Sequence, residues 1–204
     1  AAARGGTTVA TGRTGTSARA RGPAALADPT GERTSVLRRR AVVAVVGGRP
    51  LGLGIARLLA GAGVGTVAVL DAAPVLPADV SAVGYHAADV GRPREVAAVA
   101  HLRHCRPDVD TRPPERPDAV VLVESRVSVP FRSSTLVSAD VPHLSVVLRE
   151  LDVLVGPAVR PGRDACLRCL DLHRRDADPC WPAVATQLAV APSPALEAAT
   201  VATA

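Results

Sequence analysis

The run VVGGRPLGLGIARLLAGAGVGTVAVLD, Val45 to Asp71, limits what this chain can fold into more than any other stretch. The apolar segment Ala41 to Val46 does not alternate with polar residues, the pattern of a strand buried on both faces. Ile55, Leu58, Leu59 and Ala62 then recur at spacings of three and four, which predicts a helix over Gly54 to Ala62. Gly61, Gly63 and Gly65 end it, and Thr66 to Asp71 reads as a second buried strand. Strand, helix and strand within about 30 residues make one right-handed parallel unit. Its first turn brings backbone N–H groups to a helix N-terminus, where an anion is favoured. Gly47, Gly48, Gly52 and Gly54 are the glycines able to approach a phosphate, and Asp71 stands where a ribose hydroxyl would be held. Two residues break the pattern. Pro50 has no N–H to offer, and Arg49 brings a long side chain into the loop, where it is itself a candidate phosphate ligand. The turn alone leaves nucleotide binding open.

Pro74 to Ala88 has no period and reads as a loop. A second helix is expected from Gly91, with Pro93 in its first turn and Val96, Val99, Ala100 and Leu102 on its apolar face. RPPERP, Arg112 to Pro117, is a linker, and Asp118 to Val123 is a third strand. Val141 to Gly162 supplies two more short strands around polar turns, and helical spacing returns at Ala183 to Ala189. The class is α/β and Rossmann-like, a mainly parallel sheet with helices on both faces. The ordered domain is expected over residues 41–190, between a disordered basic tail (1–40) and an Ala/Pro-rich end of a truncated chain (191–204).

Composition removes several chemistries. The chain has no Met, which suggests a fragment or a processed chain, and it has no Lys or Asn. Without lysine there is no phosphate-binding lysine, no Schiff base and no lysine acting as a base. Residues 1–40 hold eight Arg against Asp28 and Glu32, while the rest has 16 Arg against 17 acids. The formal charge of +5 therefore belongs to the tail, and with almost no aromatic residues for base stacking no nucleic-acid partner is expected. No apolar run reaches the roughly 18 residues of a membrane span, and no signal peptide is visible. Four cysteines, two of them paired as Cys166-x-x-Cys169, suit a cytoplasmic chain with thiols or a metal better than a disulfide framework. Cys166 and Cys169 are half of a structural zinc site, with His173 and Cys180 near enough in sequence to join it; two reduced thiols are the alternative. His101 and His104, three apart on a helix with Cys105, are expected on a solvated face, a metal pair being the alternative, and Trp181 against the sheet or a partner.

Four pieces occur in order: VVGGRPLG, GVGTVAVLD, DVGRPREVAA (Asp89 to Ala98) and PGRDACLRC (Pro161 to Cys169). Through them, residues 41 to 190 resemble the ThiF/HesA/MoeB superfamily, adenylate-forming relatives of ubiquitin-activating enzymes. Gly156 to Leu188 looks most like the ThiF-like component of bacterial cyclodehydratases that make thiazole- and oxazole-modified peptides. That resemblance implies a YcaO-type cyclodehydratase and a ribosomal precursor peptide as partners, with a homodimer as a candidate assembly. In active members of the superfamily an Asp, an Asn, an Arg and a Lys serve Mg·ATP. Carried onto this chain they fall at Ala73, Asp79, Ala82 and Arg94, and a later Asp has no clear counterpart near Glu124 and Ser125. The resemblance thus implies a scaffold with no catalytic residue and lost adenylation. ATP binding would be weak at most, through Asp71, Arg49 and the glycines. Structural zinc at Cys166 and Cys169 would be completed in the full-length protein by a second Cys pair. An active ThiF-type adenylyltransferase and an NAD-binding oxidoreductase are the alternatives; nothing downstream of Asp71 resembles a hydride-transfer site.

Overall fold

In the computed structural model, which describes residues 31–192, five strands form one sheet: β1 (Val42–Val46), β2 (Thr66–Leu70), β3 (Ala119–Ser125), β4 (His143–Leu148) and β5 (Val153–Val159). Their order is β2-β1-β3-β4-β5. The first four strands are parallel, and β5 returns antiparallel to β4. The order reverses at β1, with β2 on one side and β3 on the other. That reversal opens a crevice beyond the strand C-termini, the usual ligand position in such sheets. The sheet lies in the unit that begins at Ser35.

Alternate residues of each strand enter different cores, as the period of two requires. Val43, Val45, Val67, Val69 and Val121 pack on one face with Leu53, Ala56 and Ala60 of α2 (Pro50–Gly61) and Ala97, Ala98 and Leu102 of α3 (Arg94–Cys105). Ala44, Val120 and Leu122 pack on the other with Leu136 of α4 (Pro130–Ser138) and Leu167 of α5 (Leu167–Ala177). Both faces carry helices, as expected. The last helix described, α6, spans Trp181–Val190.

Several elements differ from the sequence reading. Residues 1–30 and 193–204, most of the expected tail and end, lie outside the described residues. Glu32–Arg40 (α1), also assigned to the tail, is a helix. Glu32 in its first turn and Arg38, Arg39 and Arg40 in its last complement the helix dipole. Its end is tied down where Gly65 donates its N–H to the Arg38 carbonyl at 2.9 Å. The segment after β3 holds an unpredicted helix, α4, with Pro130 at its start. The expected loop over Pro74 to Ala88 contains a 3₁₀ turn at Pro77–Asp79 and a second begins at Ala87. The apolar face of α3 is also rotated. Ala97, Ala98, His101 and Leu102 are buried, while Val96 is 48 % exposed. The rotation follows from Arg94, a charged residue at the first position that is itself buried.

Candidate functional site

The crevice is a cavity of about 400 Å³, lined by Gly47, Arg49, Asp71, Arg94, Glu124 and Arg132 among others. β1 delivers the chain to Gly47, whose φ of +99° needs glycine. A Cβ at Gly47 would meet the Val123 carbonyl oxygen at 2.3 Å, and one at Gly52 would meet the Gly47 oxygen at 1.8 Å. The two glycines let β1, β3 and α2 converge. Gly48 donates its N–H to Asp71 Oδ2 at 2.8 Å, so that cradle donor is already used. Gly54 lies within α2, open space around it, and does not line the cavity.

Arg49 is the N-cap of α2 and Pro50 its first residue. Proline suits that position because the N–H it lacks has no partner inside a helix. Leu53 is the first to donate back, to the Arg49 carbonyl at 2.9 Å, so the Leu51 and Gly52 N–H groups have no acceptor within the helix. The two residues that broke the glycine pattern therefore start the helix in an ordinary way.

Arg94 is the centre of the polar network. Its Nη2 and Nε reach Asp79 Oδ2 at 2.9 and 3.1 Å, and its Nη1 reaches Asp71 Oδ2 at 3.2 Å. Burial works against the charge on Arg94, but the two carboxylates more than offset it and hold its pKa above the ordinary arginine value. Asp79 is fully buried; it also accepts the Leu76 N–H at 3.0 Å, and Arg49 Nη2 lies 3.4 Å from its Oδ1, an ionic contact too long for a good hydrogen bond. Asp79, where the resemblance sets the superfamily's Asn, is neutralised by two arginines. Tyr85 is buried beneath them and donates its hydroxyl to the Gly48 carbonyl at 2.6 Å. Burial pushes its pKa far up, so it stays a neutral donor.

Reading the sequence missed the opposite wall. Glu124, near the end of β3, is only 6 % exposed and lines the cavity. Burial pushes its carboxyl upward from the ordinary value, opposed by the Val129 N–H at 3.2 Å and by Arg132 at 3.6 Å. A charged residue inside the apolar run DAVVLVES was the available signal. Ala73 and Ala82 are exposed and do not line the cavity.

Cys166 and Cys169 bring their sulfurs within 3.5 Å. Tetrahedral thiolates at the usual Zn–S length stand about 3.8 Å apart, so the pair fits half a zinc site. Burial opposes the Cys166 thiolate, but hydrogen bonds from Cys169 and the Arg168 N–H lower its pKa overall. Among the described residues, neither His173 nor Cys180 joins them in a three-ligand group. Trp181 packs on α5, donating Nε1–H to Asp171 at 2.7 Å with the Arg174 guanidinium 5.1 Å from its ring centre. His101, expected on a solvated face, is buried and lies 2.8 Å from Asp89; His104 and Cys105 are exposed.

The ThiF family model matches residues 25–125. Solved structures of E. coli MccB share the fold. With ATP, MccB superposes at a TM-score of 0.64 with 17 % identity, over 83 % of this chain and 54 % of that one. The microcin C7 biosynthetic enzyme MccB with N-formylated MccA gives 0.64 and 16 %, over 83 % and 55 %. A further MccB structure gives 0.57 and 18 %, over 65 % and 42 %. The chain therefore spans about half the length of these structures. No curated protein matches it significantly in sequence.

Proposed function

We propose that this chain, ThiF-like over residues 25–125, is a peptide-presenting scaffold rather than an adenylating enzyme. It would work beside a YcaO-type cyclodehydratase on a ribosomal precursor peptide. The observation that carries the reading is the enclosure of Arg94 between Asp71 and Asp79. A cation held by two carboxylates has little left for a phosphate, and transition-state stabilisation depends on donors placed in advance. The exposed Ala73 and Ala82 provide no ligand for Mg·ATP. Solved MccB structures with MccA support a peptide as the partner of this fold. Zinc would be held by Cys166 and Cys169, with the remaining ligands from a second pair of the kind the superfamily carries downstream. It would serve structure only.

A rival reading, an active adenylyltransferase, draws on Arg49, Arg94 and Arg132 lining one cavity together with Glu124. Weak nucleotide binding fits both readings; turnover fits only the rival. The scaffold reading is tested by binding. Labelled precursor peptide from the same gene neighbourhood, added to this protein and its YcaO-type partner, should form a ternary complex, with cyclodehydration depending on both proteins. Full peptide modification by the partner alone, with no binding to this chain, would remove the scaffold role.

A further inference from the structure

His86, Asp89 and His101 form a second polar cluster, none of whose members lines the cavity. Their ligand atoms all lie within 4.8 Å of one another. His101 Nε2 is 2.8 Å from Asp89 Oδ2, and the two imidazole rings are 4.6 Å apart between centroids, tilted by 48°. Neighbouring nitrogen and oxygen ligands of tetrahedral zinc stand about 3.3 Å apart, so a small inward swing of one ring completes the set. The fold makes that swing cheap. Asp89 and His101 are buried, while His86 is exposed, so its ring is the one with room to turn.

The two buried ligands are held from behind. The Asp89 carboxylate accepts the His86 N–H at 3.1 Å and Arg92 Nη1 at 3.1 Å. His101, on α3, meets the Tyr85 ring edge-on at 5.5 Å. Such partners orient metal ligands and raise affinity. Two imidazoles and one carboxylate suit zinc-class ions rather than magnesium or calcium, and the exposed side leaves room for water as a fourth ligand.

We propose that His86, Asp89 and His101 bind one divalent transition ion of the zinc class, independently of the thiol pair. Binding replaces the hydrogen bond between His101 and Asp89. The proton on His101 Nε2 leaves to solvent or to Nδ1, and the freed lone pair takes the metal. Because Tyr85 touches His101 and donates to Gly48, the ion braces the glycine turn from behind.

The test uses the full chain with Cys105, Cys166, Cys169 and Cys180 replaced by Ser, titrated with Co²⁺ and read by its visible absorption, then by Zn²⁺ competition. One equivalent is expected, with a Tm rise of about 5–10 °C at a hundredfold excess over Kd. His86→Ala should weaken binding by about tenfold or more, and His104→Ala, exposed on the helix that carries His101, should leave it unchanged. No bound ion, or equal binding by His86→Ala, overturns the proposal. Should the Ser variant not fold, imidazole NMR of the intact chain decides. Zn²⁺ must shift the His86 and His101 resonances, and unshifted resonances overturn the site.

Discussion

At the scale of single residues, the network around Arg94 contains most of what distinguishes this site. Arg94→Met leaves Asp79 buried without its main partner and should destabilise the fold by about 3–5 kcal/mol. The double variant Arg94→Met, Asp79→Leu should recover much of that loss in urea unfolding, because it removes both charges together. Glu124 gives a pH signature. Its folded-state pKa is raised, so between the unfolded value and the folded one the native state holds more protons than the unfolded chain. Stability contributed by this residue therefore falls as pH rises through that window, and stays low above it. Glu124→Gln should flatten this slope in unfolding measured from mildly acidic to neutral pH, and should be the more stable form at neutral pH. Asp71 and Arg49 were legible as residues lining the crevice because strand ends and glycine turns mark it. Glu124 left only the signal of a charge inside an apolar run, and Tyr85 left none, since its role comes from burial, which one sequence does not display.

At the scale of elements, the two strands of the first unit were readable to within a residue, but the helix between them starts at Pro50, four residues before the expected Gly54. β1, β2 and β3 are apolar runs bounded by turn residues, whereas α2 buries Leu53, Ala56 and Ala60 and leaves Leu58 of the expected face 75 % exposed. Pro50 misled because it was weighed as a lost donor in a loop, while it opens the helix. α4 was missed because PFRSSTLVS buries only Ser133, and a helix with so little buried surface shows no period. The glycines of the turn now separate by role. Gly47→Ala should be strongly destabilising, since a positive φ and the Val123 carbonyl both oppose a Cβ there. Gly54→Ala, inside α2 with nothing within 4 Å of the new methyl, should stabilise by about 0.5–1 kcal/mol. Equal effects of the two in thermal unfolding would contradict the described turn.

At the scale of the whole molecule, the sheet order and its switch point are those of a ThiF-like fold, and the sequence carried that through four short motifs in order. The ligand chemistry was less legible, because it depends on which charges meet in space. The resemblance sets Arg94 at the position of the superfamily's lysine, and only the structure shows its guanidinium spent on Asp71 and Asp79. The thiol pair belongs to this scale too. Metal analysis of the purified protein should find zinc at Cys166 and Cys169, lost in the double Cys→Ser variant with a fall in Tm; zinc kept by that variant at the thiol pair would remove the assignment. The central claim is that this cavity does not adenylate. ATP–pyrophosphate exchange tests it most directly, with precursor peptides as acceptors, using the chain alone and then with its partner. The chain alone is predicted to give only background exchange. Exchange above background that disappears in Asp71→Ala would contradict the scaffold account and restore the enzyme.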